Sequence, residues 1–275
     1  MKIQPTPTTP VAAAVTTTAV NTSIKTAVKI APATSGQQRL WYQCEMLHPP
    51  YSYNEQLEVM VCGQLDIVAL KEIIDLVIQR HENLRTVFKI SPENQLQQII
   101  MPAFSVPIPV IKVGDLSTTK KQLERLINDH CLEQGQALYD LAEGPLLRLA
   151  VLQLPDNKQL FLCSFHHIIM DGRAAVILLK EINQLYNSNH KADSGDSAKL
   201  FQMTDYVVAE SDRLQSDLMQ RQVKHWTAQL QDMPPLLELP TDYPRQPTTG
   251  YFGAWQAVGI SEKLTSGLLA TSWKQ

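Results

Sequence analysis

At 275 residues and 44% hydrophobic content, the chain is long enough to bury a sizeable core in one large or two modest domains. Its net charge of -3, with acidic and basic residues well mixed, excludes the broad basic face that a nucleic-acid backbone or an anionic membrane selects. No run of about 18 apolar residues occurs and the N-terminus has no continuous hydrophobic region, so neither membrane spanning nor export is expected and the chain reads as cytoplasmic.

Residues 1–25 are mostly Thr, Pro, Ala and Val and read as a flexible linker, either a tether or a disordered start. AVKIAP then predicts a short strand, and QQRLWYQCEML a helix turning Leu40, Trp41 and Leu47 inward. LEVMVCGQL alternates Leu57, Val59, Val61 and Leu65 on one face, the period of a half-buried strand. Asp66 is placed to cap the next helix, which aligns Ile67, Leu70, Ile73, Ile74, Val77 and Ile78 in one stripe. Strands TVFKI and LQQIIM follow, then a helix over TKKQLERLINDHCLEQG that repeats Leu123, Leu126, Ile127 and Cys131 and is expected to stop at Gly135.

LLRLAVLQL and QLFLCSF are the most apolar strand candidates, joined by the turn chemistry of Pro155, Asp156 and Asn157. Gly172 opens a helix, RAAVILLKEINQLY, apolar round most of its circumference and therefore expected to be deeply packed. A polar loop at 187–199 precedes an amphipathic region running to about Leu230, and PPLLELPTDYPRQP reads as a proline-rich extended crossing. YFGAWQAVGI looks strand-like, and Ser261 opens a last helix with Leu264, Leu268 and Leu269 apolar. Cys44, Cys62, Cys131 and Cys163 lie far apart in apolar stretches, which suits small hydrophobes better than a disulfide framework or a zinc site. The irregular interleaving of strands and helices predicts an α/β protein of the layered α+β kind, a mixed sheet with flanking helices, and not a repeated βαβ wind.

The densest chemistry lies in SFHHIIMDGRA, where His166, His167, Asp171 and Gly172 fall at a strand-to-helix turn beside the core. Adjacent strand side chains point to opposite faces, so one histidine is expected inward and the other outward. A buried Asp171 needs a cation or several donors. Three readings follow. Both histidines can be satisfied core residues with Asp171 capping the helix. They can bind a metal, which their divergence opposes. Or one can serve as a base near neutral pH while Asp171 holds the turn and Gly172 admits a ligand to the backbone.

The seven-residue pattern HHxxxDG decides among them, since this chain's own composition makes an accidental match on the order of one in three thousand. His166, His167, Asp171 and Gly172 resemble the signature of condensation domains of nonribosomal peptide synthetases, within the chloramphenicol acetyltransferase-like superfamily. RHENLRTVF matches that family's RHExLRTxF element at Arg80, His81, Glu82, Leu84, Arg85, Thr86 and Phe88. TSGQQRLWY resembles SxAQxRLW, keeping Gln37, Arg39, Leu40 and Trp41 but with Thr34 and Gly36 for Ser and Ala. YDLAEGPLLR is similar to FDLxxGPLLR, and LPTDYPRQP to LPTDxPRP. After Gly172, Arg173 and Ala174 stand where the family often has Trp-Ser.

The resemblance implies a chloramphenicol acetyltransferase-like lobe at 26–186, a connector at 187–248 and, at 249–275, the start of a second lobe left incomplete before Gln275. It implies amide formation between a donor acyl thioester and an acceptor aminoacyl thioester, both on phosphopantetheine arms of carrier proteins that meet in a tunnel between lobes. No bound cofactor is expected. Partners would be the donor and acceptor carrier proteins and a neighbouring synthetase subunit, with neither nucleic acid nor membrane. His167 would act on the amine, with His166 structural, Gly172 near the oxyanion and Arg85 the cation paired with Asp171. Alternatives are a coenzyme A-dependent acyltransferase and a non-catalytic or split fragment that docks carrier proteins.

Overall fold

The computed structural model describes residues 27–46, 50–61, 63–115, 117–188, 200–244, 256 and 258–273. The linker expected at 1–25, Leu47, Cys62, most of the polar loop and most of YFGAWQAVGI lie outside them. Two units divide the chain between Gln229 and Leu230.

The first unit contains strands β1 (Lys29–Pro32), β2 (Asn54–Val61), β3 (Thr86–Ile90), β4 (Leu96–Ile100), β5 (Val110–Lys112), β6 (Leu147–Gln153) and β7 (Gln159–His166). Its helices are α1 (Ser35–Met46), α2 (Ile67–Arg80), α3 (Lys120–Gln136), α4 (Gly172–Asn187), α5 (Met203–Gln215) and α6 (Asp217–Gln229), and a 3-10 turn spans Glu82–Arg85. One sheet has the order β1-β4-β3 and is antiparallel, while the other has the order β2-β7-β6-β5 with only the β5–β6 pair parallel. The layered α/β class is the one observed.

The two central strands of the second sheet, β6 and β7, are buried on both faces, which explains why they are largely apolar runs. Leu147, Leu149 and Val151 with Phe161, Cys163 and Phe165 enter the main core together with Leu70, Ile73 and Val77 of α2 and Ala175, Leu178 and Ile182 of α4. The alternate positions Ala150, Leu152, Leu160 and Leu162 pack with Cys131 of α3 on the opposite face. Asp156 and Asn157, at φ 60° and 55°, make the β6–β7 turn left-handed, a conformation these two residue types tolerate.

Local capping follows sequence chemistry. Asp66 accepts from the amides of Val68 and Ala69 at the start of α2. The Thr34 hydroxyl accepts from Gln37 N at 3.2 Å and Gln37 Oε1 accepts from Thr34 N at 2.9 Å, so Thr in place of Ser keeps a reciprocal cap. The buried carboxylate of Glu210 on α5 accepts from the Ser35 amide at 3.0 Å and the Ser35 hydroxyl at 2.8 Å, supplying charge where the α1 dipole favours it.

Two expectations are corrected. The third helix does not stop at Gly135 but runs through it to Gln136, because its terminal carbonyls find a donor: Asn54 Nδ2 reaches Gly135 O at 2.7 Å and Ala137 O at 2.9 Å. The α4 helix is not deeply packed all round, for it buries one stripe and leaves Val176 and Ile177 49% and 56% exposed. The short parallel edge strand β5 gives no sequence signal, since it follows prolines and carries too few residues to show a period.

In the second unit, 234–244 form neither helix nor strand, as prolines dictate, and Val258–Ile260 form no strand. Helix α7 (Glu262–Ser272) starts at Ser261, whose hydroxyl accepts from Leu264 N. No helix among the described residues is long and apolar enough to cross a membrane.

Candidate active site

Strand β7 ends on His166, paired in register with Asn54 of β2, and the chain turns through Ile168, Ile169 and Met170 into α4. All three turn residues are buried in the main core, so the turn is anchored by its apolar side chains. Its backbone is tied from two sides: His167 N donates to Tyr53 O at 2.8 Å, and Ile169 N to His166 O at 3.1 Å. Asn83 Nδ2, from the 3-10 turn, donates to Ile169 O.

The two histidines divide as strand alternation requires. His166 is 3% exposed and its Nδ1 accepts from Ile168 N at 3.1 Å, which leaves the proton on Nε2 facing Cys44 Sγ at 3.4 Å. Tyr139 meets its ring edge-on at 6.2 Å, and the Arg148 guanidinium lies 3.9 Å from the centroid of the tyrosine ring. Burial, and to a lesser degree the neighbouring His167, pushes the His166 imidazole down to about 4. Burial first, then the charge of Glu45, pushes the Cys44 thiol up to about 11. The His166–Cys44 pair is therefore neutral at physiological pH. Both residues line a cavity of about 410 Å³ whose walls include Trp41, Phe88, Tyr139 and Leu141.

The His167 side chain is 31% exposed. Its ring lies parallel to Tyr53, 7° between planes and 6.4 Å between centroids. Nδ1 is buried and turned to Glu55 Oε1 at 3.4 Å. Of the two imidazoles, this one is the more exposed.

Asp171 is exposed, and its Oδ1 accepts from Ala174 N at 2.7 Å as the N-cap of α4. The ion pair expected between Asp171 and Arg85 is not formed. Arg85 Nη1 donates instead to Met101 O, and its buried Nε has no partner. The physical reason is position: Asp171 never enters the core, so water and a helix amide satisfy it without a cation. Gly172 is the first residue of α4 and a Cβ built on it meets nothing within 4 Å, so the space beside it is open. With Ala174 N bonded to Asp171 Oδ1 and Ala175 N to Asp171 O, the amides of Gly172 and Arg173 are those left without an intrahelical acceptor.

Sequence reasoning missed Asn83 and Glu55. Asn83 occupies the variable position of RHExLRTxF, and Glu55 stands in a strand whose pattern reports only its apolar face. The remaining members of RHENLRTVF act as scaffold: Arg80 and His81 both bind Glu181 of α4, at 3.0 and 2.7 Å, and Glu82 accepts from Thr204 of α5 at 2.8 Å. The first two contacts hold the Glu181 carboxyl below its usual range, with the His81 hydrogen bond the largest cause.

The layered sheets and the HH turn define a lobe of the condensation-domain fold. The condensation domain of monacolin K polyketide synthase superposes with a TM-score of 0.64 at 20% identity, over 82% of this chain and 49% of that one. The starter condensation domain of rhizomide synthetase gives 0.64 at 16% identity, over 75% and 49%. The condensation domain model matches residues 27–273, and the chain belongs to that family. A linear gramicidin synthase chain of Brevibacillus parabrevis is 32% identical over 249 residues, 89% of this chain and 5% of the synthase. Malpinin synthetase of Mortierella alpina is 30% identical over 232 residues, 82% of this chain and 3% of the synthetase. The chain thus spans about half the length of these solved domains and a few per cent of the curated relatives.

Proposed function

We propose that the chain forms part of a cytoplasmic nonribosomal peptide synthetase condensation domain that joins a donor acyl thioester to an acceptor aminoacyl thioester, each carried on a phosphopantetheine arm. In this reading 26–186 form the first lobe, 187–248 a connector and 249–275 belong to a second lobe. The partners are the donor and acceptor carrier proteins, with a neighbouring synthetase subunit supplying one of them, and the phosphopantetheine arrives with the substrate.

The observation that carries this reading is the asymmetry of the HH pair: His166 is 3% exposed and fully engaged, whereas the His167 side chain is 31% exposed. His167 accepts a proton from the acceptor amine as its nitrogen attacks the thioester carbonyl. The C–N bond forms, the C–S bond breaks, and the proton passes to the departing thiolate. The free amides of Gly172 and Arg173, at the positive end of α4, suit a developing oxyanion. His166 and Asp171 keep the turn in shape, while Arg85 donates to the Met101 carbonyl just past β4 and supports the site only through that neighbouring sheet.

The test is condensation between loaded carrier proteins, followed as product thioester. His167→Ala is expected to lower the rate by about 10²- to 10⁴-fold, the range of a lost general base. An unchanged rate removes His167 from the chemistry.

A further inference from the structure

The turn that presents His167 runs beside the start of β2, and strand alternation sorts what the histidine meets. Asn54 pairs with His166, so the residues on either side of it, Tyr53 and Glu55, share the face onto which His167 projects. The Tyr53 ring runs parallel to the imidazole at 6.4 Å between centroids, and its carbonyl accepts the His167 amide at 2.8 Å. Glu55, diagonal on the same strand, brings Oε1 to 3.4 Å from Nδ1. That nitrogen is buried and has no hydrogen-bond partner, and the Glu55 carboxylate is the acceptor at hand. The Glu55 side chain is 47% exposed, so it has room for the small rotation that turns this contact into a hydrogen bond.

A neutral imidazole places its single proton on one nitrogen and a lone pair on the other, and the partner of one nitrogen fixes the role of the other. A carboxylate can only accept, so it selects the Nδ1–H form. The lone pair then resides on Nε2, the nitrogen away from the strand and the one a reacting amine can reach.

We infer that Glu55 is a positioning residue that holds His167 in the Nδ1–H tautomer with its ring against Tyr53, leaving Nε2 unprotonated to receive the amine proton. The inference rests on the proposed function for its purpose but not for its observable. Glu55 touches no substrate; it acts through the histidine. In the HHxxxDG turn the first histidine shows the reverse arrangement, Nδ1 accepting and Nε2 protonated, so the two rings differ in tautomer as well as in exposure.

The decisive measurement is the ring ¹⁵N spectrum of the full chain labelled in histidine, recorded at pH 8, with the His167 signals assigned by their loss in His167→Gln. Protonated Nδ1 and unprotonated Nε2 are expected in the wild type, a shift toward protonated Nε2 in Glu55→Leu, and retention of protonated Nδ1 in Glu55→Gln, whose amide oxygen still accepts. Protonated Nε2 in the wild type, or a tautomer unmoved in Glu55→Leu, overturns the inference whatever the activity. Folding of both variants is checked by the unchanged His166 signals. In the carrier-protein assay Glu55→Leu is expected to lower kcat by about 10- to 100-fold with KM retained, and Glu55→Gln to lose less. A full rate in His167→Ala alongside the expected tautomer would sink the functional reading and leave the Glu55 assignment standing.

Discussion

Acidification should destabilise this protein through His166. The folded state holds that imidazole at about 4 against an ordinary 6.5, so between these values the unfolded chain binds a proton that the folded chain refuses. A base depressed by folding contributes its full stability above 6.5 and loses it as pH falls toward 4. At about 1.4 kcal/mol per pH unit, moving from pH 7.5 to 4.5 removes on the order of 2–3 kcal/mol through this one side chain. That is a large share of the roughly 5–15 kcal/mol typical of a domain. Urea unfolding at both pH values isolates the effect when wild type is compared with His166→Asn, because every other group titrates in both. The Asn oxygen also replaces Nδ1 as acceptor for Ile168 N, sparing the turn. Wild type should lose on the order of 2–3 kcal/mol more than the variant on acidification. Equal losses in the two proteins would refute the burial argument.

Since Asp171 caps a helix and pairs with no cation among the described residues, Asp171→Ala should cost about 1 kcal/mol and Asp171→Asn a few tenths. In a double-mutant cycle with Arg85→Ala the two effects should add, and a coupling above about 1 kcal/mol would restore the ion pair. Asn83→Ala strips the Ile169 carbonyl of its donor inside the core and should cost about 1–3 kcal/mol by urea unfolding, against no measurable change if that bond is idle. Gly144 has φ +63° and a Cβ there would stand 3.0 Å from Val87 Cγ1, so Gly144→Ala should lower stability by about 1–3 kcal/mol, visible as a fall in Tm.

How far the sequence carried the fold depended on whether a signal was local. Period-two alternation placed Leu57, Val59 and Val61 of β2 correctly, and the Asp66 cap fixed the start of α2, because both effects act within a few residues. The exposure of Val176 and Ile177 was not legible, since composition counts apolar residues round a helix without knowing what lies outside it. The same limit applied to the site. The opposite burial of His166 and His167 follows from strand geometry alone. Glu55 and Asn83 come from segments distant in the chain, and only the β2–β7 register and the docking of the 3-10 turn bring Glu55 to His167 and Asn83 to the Ile169 carbonyl.

The failed ion pair shows what fixes the turn. A buried Asp171–Arg85 pair would have required desolvating two charges, a cost that attraction only partly returns. The molecule instead surrounds the turn with neutral partners: three apolar side chains in the core, the Asn83 amide on Ile169 O, and Ile168 N and Cys44 on the two nitrogens of His166. Each buried polar group of His166 is satisfied without a net charge, so the turn is rigid at neutral pH and weakens only when His166 is forced to protonate. That leaves Glu55, whose carboxylate stands 3.4 Å from the buried Nδ1 of the half-buried His167 ring at the edge of the sheet, where a charge costs little to hold and, on the inference above, orients that imidazole.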